Sequence, residues 1–280
     1  MLNDLPFVTY SLIGLNLLIS IYGFRNISFL DQYKFSIEGV LLYRSYSRMI
    51  VSGFLHVDWK HLFFNMLTLL IFGEYLELSV GHLNFLLIFT IGLLSGNLFA
   101  LAVHRQHADY SAVGASGAVS AILFAVMVME PNSKMGLLLI PLYVPAWLFC
   151  ALYVLMTIIG VKRAHGNIGH EAHLGGAFAG MLVLVLILPD VLRSNLLYFL
   201  LFAIPIGFFI VYVVMNPNYL ILARIKNSDI RRKSKDELYN EKRVSKQLEI
   251  DAILDKINSK GMASLTKSEK NALEEFSKRN

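Results

Sequence analysis

Charge is scarce in this 280-residue chain: 16% of the residues are Asp, Glu, Lys or Arg, whereas 56% are hydrophobic. A soluble domain of this size carries closer to a quarter charged residues, so a water-facing surface over the whole chain is excluded. Cysteine is almost missing. The single Cys150 rules out an internal disulfide and reads as a buried, inert thiol. Residues 1–223 have no excess of either sign, with 10 Lys/Arg against 10 Asp/Glu. No pattern of basic residues interleaved with aromatics exists, so nucleic acid is not an expected partner. The N-terminal apolar run has neither a cationic leader nor a small-residue cleavage site, and reads as a retained helix. Internal repeats and low-complexity tracts are missing as well.

Long apolar runs fill the space that charge leaves. Stretches of about 20 uncharged residues match the roughly 30 Å hydrocarbon core of a bilayer. Seven candidate spans follow, at 5–24, 62–80, 83–103, 112–129, 135–161, 168–188 and 196–215. Lipid cannot satisfy an open backbone, so the expected fold class is all-α, a polytopic membrane helix bundle. Two parts are expected: a membrane domain over 1–222 and a basic tail over 223–280. The tail, from residue 224 on, holds 15 Lys/Arg against 10 Asp/Glu, a balance that suits anionic lipid headgroups. Within it, "DAILDKINSKG" ends at Gly261 as a C-cap, and Thr266 with Glu269 forms a capping box, together predicting a small helical hairpin. The long loop after span one, from Arg25 to about Lys60, mixes apolar, aromatic and charged residues and is expected in the interface, with Tyr43, Tyr46 and Trp59 at headgroup level.

Polar side chains inside spans are costly and therefore mark function by default. His61 and Asn65 open span two four residues apart, on one helix face. Ser116 lies five residues into span four, and His170 and His173 open span six. Even-numbered spans all begin at the same membrane face. At about 1.5 Å per residue, Asn65, Ser116 and His173 share one leaflet at a depth of roughly 5–9 Å. Small residues recur at four-residue spacing around them: Gly114/Ala118 and Gly117/Ala121 on span four, Ala172/Gly176/Gly180 and Gly175/Ala179 on span six. Such faces let helices approach closely in lipid, which would bring Ser116 and His173 together. A serine needs a base to become a nucleophile, and His173 is the natural one. Asn65, His61 and the Ser116 backbone N–H are the candidate donors to an oxyanion. No carboxylate is placed to orient His173, since Glu171, two residues earlier, lies about 200° away round the helix, so the expectation is a dyad. Glu74 and Glu77, at the far end of span two, are expected to cap or cross-link helices.

These residues resemble the rhomboid family of intramembrane serine proteases. The resemblance rests on "HLFFNM" (61–66), "GASGA" (114–118) and "GHEAHLGGAFAG" (169–180), with "YR" (43–44) and "FLH" (54–56) in the first loop, and covers roughly residues 5–190. It implies a six-helix core, here of the bacterial type with one helix added after it, in a bacterial cytoplasmic membrane. It implies Ser116 as nucleophile, His173 as base, and His61, Asn65 and Gly114 in support at the oxyanion. Phe64 and Trp147, with Pro141 and Pro145, would lie near where a substrate helix enters. The implied substrates are single-pass transmembrane proteins, and neither a cofactor nor a metal is implied. One departure stands out: many members place an aromatic residue four after the serine, stacked on the catalytic histidine, and here that position is Ser120. Orientation is contested between two signals. Arg25, Lys34, Arg44, Arg48, Lys60, Arg105, Lys162 and Arg163 would flank the catalytic face against only Lys134 and Arg193 opposite, which favours a cytoplasmic site, whereas the family usually faces its site outward. Two other functions remain open: a catalytically inactive rhomboid-like protein that binds membrane clients, and a metal site or transporter built from His56, His61, His170 and His173.

Overall fold

The computed structural model describes residues 5–137, 140–163 and 169–216, with short stretches between 253 and 270. The chain divides into two compact units, 1–226 and 227–280. The first is an all-α membrane bundle. Its helices are α1 (Phe7–Arg25), α2 (Ile27–Tyr33), α3 (Ile37–Leu41), α4 (Arg48–Val51), α5 (Trp59–Val80), α6 (His82–His104), α7 (Ser116–Met129), α8 (Ala146–Arg163), α9 (His170–Ile187) and α10 (Pro189–Met215). By length and composition α1, α5, α6, α9 and α10 can cross a membrane; α7 and α8 are apolar but shorter.

The two shorter helices correct the expected spans. The segment before α8 is a hairpin, β3 (Lys134–Leu137) with β4 (Ile140–Pro145), so that helix starts at Ala146 and not near residue 135. Proline explains this. Pro141 and Pro145 lack the N–H a helix interior needs and hold the residues before them extended, which hydropathy does not register. Ala112 likewise sits in a strand, β2 (Ser111–Ala112), paired antiparallel with β1 (Phe35–Ser36), and α7 begins only at Ser116. At the other end of the bundle, α10 starts at Pro189 and kinks at Asn195. The Asn195 amide turns away to donate to the Val128 and Met129 carbonyls (3.0 and 3.1 Å), capping the end of α7.

Helix α7 is the centre of the bundle. Every residue from Gly117 to Val128 is buried, against α5, α6 and α9. Small residues permit this. A Cβ on Gly176 would lie 2.0 Å from the Gly117 carbonyl oxygen, and one on Gly180 would lie 2.4 Å from that of Ala121. The small faces of α7 and α9 therefore meet, as their spacing predicts. A Cβ on Gly96 of α6 would likewise lie 2.6 Å from the Ala172 carbonyl oxygen.

Glu77 joins two helices at the far end of α5. Its buried carboxylate accepts from the Val8 and Thr9 backbone N–H groups (2.8 and 2.7 Å) and from the Thr9 hydroxyl (2.6 Å). His82 pairs with it at 2.5 Å. The orphan donors of the first turn of α1 thus find their acceptor on another helix. Glu77→Ala is expected to lower stability by about 3 kcal/mol, since several buried donors lose their partner at once. Thermal melting in detergent measures it, and an unchanged melt would refute the role.

The first loop builds a scaffold of its own. Phe35, Ile37, Val40, Met49 and Ala100 form a small second core, while Tyr43, Tyr46 and Trp59 are exposed. Arg48, counted above as a face charge, donates within the loop to the Asp31 and Lys34 carbonyls (3.1 and 2.7 Å). In the second unit, the Thr266 N–H donates to Glu269 Oε2 (2.7 Å) and the Glu269 N–H to Thr266 Oγ1 (3.3 Å), the reciprocal pair of a capping box. Gly261 takes the positive φ of +74° that a C-cap glycine uses. Most of the tail lies outside the described residues.

Candidate active site

Ser116 is the first residue of α7, not one buried a turn inside it. The backbone leading to it is held from three sides. Ile37 donates to the Tyr110 carbonyl (3.2 Å), β1 pairs with β2, and the Gly114 N–H donates to the Ser52 carbonyl (2.9 Å). Gly114 has φ +130°, a conformation that excludes ordinary side chains, and a Cβ there would lie 2.6 Å from His61 Cε1. Glycine is thus required twice, for the turn and for the His61 ring beside it. No side chain caps the start of α7. The N–H groups of its first turn, at the positive end of the helix dipole, remain open to an anionic atom.

His61 is set by the N-cap of α5, where Asp58 accepts from the His61 N–H at 2.8 Å. Asn65 lies one turn on, nearly buried, and its amide donates to the His61 carbonyl (3.0 Å). His56 stands edge-on to His61 at 4.9 Å. The Ser20 hydroxyl donates to the Phe54 carbonyl (3.0 Å) and so receives the His56 Nδ1–H (2.8 Å). That leaves His56 Nε2 as a buried lone pair without a hydrogen-bond partner. Burial, with His61 close by, pushes the His56 pKa down to about 3. The native state therefore holds His56 neutral while the unfolded chain protonates it near 6.5. Stability from this group is complete above pH 6.5 and is lost as pH falls from 6.5 toward 3. Melting at pH 5 is expected below that at pH 7.5, with a smaller gap in His56→Gln; an equal gap would assign the acid sensitivity elsewhere.

His173 sits one turn into α9. The close contact of Gly176 with Gly117 lies three residues beyond His173 and one beyond Ser116, so the two side chains occupy neighbouring helix ends. No hydrogen bond joins Ser116 to His173 among the described residues. Catalytic hydrogen bonds in substrate-free enzymes are often long and tighten only in the complex. His170 meets His173 edge-on (6.0 Å, 73°) and packs over Gly160 of α8. Glu171 does not face His173. Its carboxylate pairs with His104 at the end of α6 (3.1 Å), and Tyr110 stacks on that His104 ring at 3.7 Å. Phe64 is exposed on α5, and Trp147 packs partly buried at the start of α8. The Pro141 side chain lies outside the described residues.

The rhomboid domain pattern matches residues 43–190, more than half of the chain. The chain belongs to the rhomboid family. Residues 233–279 match a second family, DUF6576, described as one of unknown function. Among curated relatives, Rhomboid protein 1, mitochondrial, of Saccharomyces cerevisiae is 29% identical over 182 residues, 62% of this chain and 51% of the relative. RHOMBOID-like protein 12, mitochondrial, of Arabidopsis thaliana is 32% identical over 145 residues, 46% of this chain and 43% of the relative. The human presenilin-associated rhomboid-like protein, mitochondrial, is 28% identical over 141 residues, 48% and 36% respectively. The chain thus spans about half or less of these relatives. Their mitochondrial names lend nothing to the expectation of a bacterial cytoplasmic membrane; an integral membrane protein is what the apolar helices support.

Two features of this rhomboid site escape a reading of motifs. Tyr153, from α8, lies parallel to the His173 ring (6.2 Å, 26°), and its hydroxyl bonds Ser120 Oγ at 2.9 Å. The His104–Glu171–Tyr110 cluster ties the end of α6 and the loop before α7 to the start of α9. Neither has a spacing signature, because each joins residues far apart in the chain. Among the described residues, no three His, Cys, Asp or Glu side chains converge as metal ligands, so the metal-site reading finds no support there.

Proposed function

We propose that this protein is an intramembrane serine endopeptidase that cleaves transmembrane segments of single-pass membrane proteins through a Ser116–His173 dyad. The observation that carries the reading is the backbone contact of Gly117 with Gly176, which seats the uncapped start of α7 beside the start of α9. Ser116 Oγ attacks the scissile carbonyl carbon as His173 accepts the hydroxyl proton. The carbonyl oxygen becomes an oxyanion and takes hydrogen bonds from the first-turn N–H groups of α7, with His61 and Asn65 as further donors. His173 then gives the proton to the leaving amine, and a water activated by the same ring releases the acyl group. Phe64 on α5 and Trp147 on α8 would flank the approach of the substrate helix. The tail, 223–280, is proposed to rest against anionic headgroups.

The test is a fluorophosphonate probe on purified, detergent-solubilised protein, with the labelled peptide mapped. Covalent label on Ser116 is the expected result. A folded protein that takes none favours the competing reading, an inactive client-binding member, which draws on the unmade Ser116–His173 hydrogen bond. Asn65→Ala is expected to slow cleavage by about 10²-fold and leave measurable activity, the usual cost of one oxyanion donor. Wild-type turnover in that variant would remove Asn65 from the site.

A further inference from the structure

A base that works without a carboxylate partner needs something else to hold its ring, since useful geometry demands tolerances of roughly 0.5 Å and 10–20°. Glu171, two residues before His173, is committed to His104. His173 meets the edge of His170. It also meets the face of Tyr153, at 6.2 Å between centroids and 26° between planes, within the range of offset stacking. The Tyr153 ring is itself pinned. Phe124 stands edge-on to it at 5.6 Å, and its hydroxyl bonds the buried Ser120 Oγ at 2.9 Å. Ser120 lies one turn after Ser116 on the same face of α7.

We propose that Tyr153 is the positioning residue that orients His173, and that Ser120 fixes it by holding its hydroxyl; the inference rests on the serine-protease reading. Ser120 is then no vacancy. It is the α7 anchor of a ring supplied by α8, and a side chain much larger than serine there would displace the ring. The chain of contacts Ser120–Tyr153–His173 links the helix of the nucleophile to the helix of the base through a third helix. Orientation of the base thereby depends on the seat of α8, which packs against the helices α9, α10 and α7.

The experiment measures the labelling rate and apparent probe affinity of full-length protein in detergent for wild type, Tyr153→Phe, Tyr153→Leu and Ser120→Ala, with a melt of each. Tyr153→Leu is expected to lower the maximal labelling rate by about 10–100-fold with little change in probe affinity, the signature of a misoriented base. Tyr153→Phe keeps the ring and is expected to lose only a few-fold, as is Ser120→Ala. Combining Tyr153→Phe with Ser120→Ala is expected to cost no more than either alone, because both remove the same hydrogen bond. A Tyr153→Leu protein that labels as fast as wild type overturns the proposal while leaving the protease reading intact. A folded wild type that never labels overturns both. Should the Leu variant fail to fold, Tyr153→Met fills the gap with a flexible side chain and carries the same expectation.

Discussion

Ser116→Ala and His173→Ala are each expected to abolish cleavage of a single-pass membrane substrate in reconstituted vesicles, by at least about 10³-fold. Loss should be nearly as complete in either single variant as in the double, since a nucleophile and its base act as one unit. Both changes should leave the fold intact. Ser116 occupies the first position of α7, where the backbone is set by β1–β2 pairing and by the Gly114–Ser52 hydrogen bond and not by the serine side chain. His173 is partly exposed, so its truncation leaves no sealed cavity. Wild-type melting beside a missing product is therefore the expected pair of observations. Full activity in either variant would dismiss the dyad.

Gly176→Ala is expected to damage stability and activity together. Its Cβ would stand 2.0 Å from the Gly117 carbonyl oxygen, a contact with backbone that no rotamer change relieves. The helices must separate, and overpacking of this kind costs roughly 1–3 kcal/mol, sometimes more. The same displacement moves Ser116 away from His173, and a shift of about 1 Å is worth around 10²-fold in rate. Gly180→Ala, 2.4 Å from the Ala121 carbonyl oxygen, should lower stability similarly but lies a turn further from the chemistry. Gly14→Ala is the control, because a Cβ on that α1 glycine meets nothing within 4 Å. Melting temperature and labelling rate separate the three. Wild-type values for Gly176→Ala would mean that the α7–α9 contact is not what sets the site.

Membrane class, the α-helical bundle and the pairing of small faces were legible in linear order, because lipid leaves the backbone few choices and glycine at four-residue spacing marks close approach. Ser116, His173, His61 and Asn65 stood out for a related reason: polar groups are rare enough in spans that their common depth is a signal. The same logic singles out Glu74 and Glu77 as caps or cross-links, and Glu77 is one through Val8 and Thr9. Hydropathy failed where a segment is apolar but not helical, at 134–145 and 111–115, since strand pairing and proline act through backbone hydrogen bonds that an apolarity scale does not contain. Residue types and their spacing named the candidate reactive groups. Which ring holds His173, and where Glu171 turns, was decided only by helix packing: Ser120 and Tyr153 are 33 residues apart, and a contact made by the seat of one helix against another leaves no periodic trace along the chain.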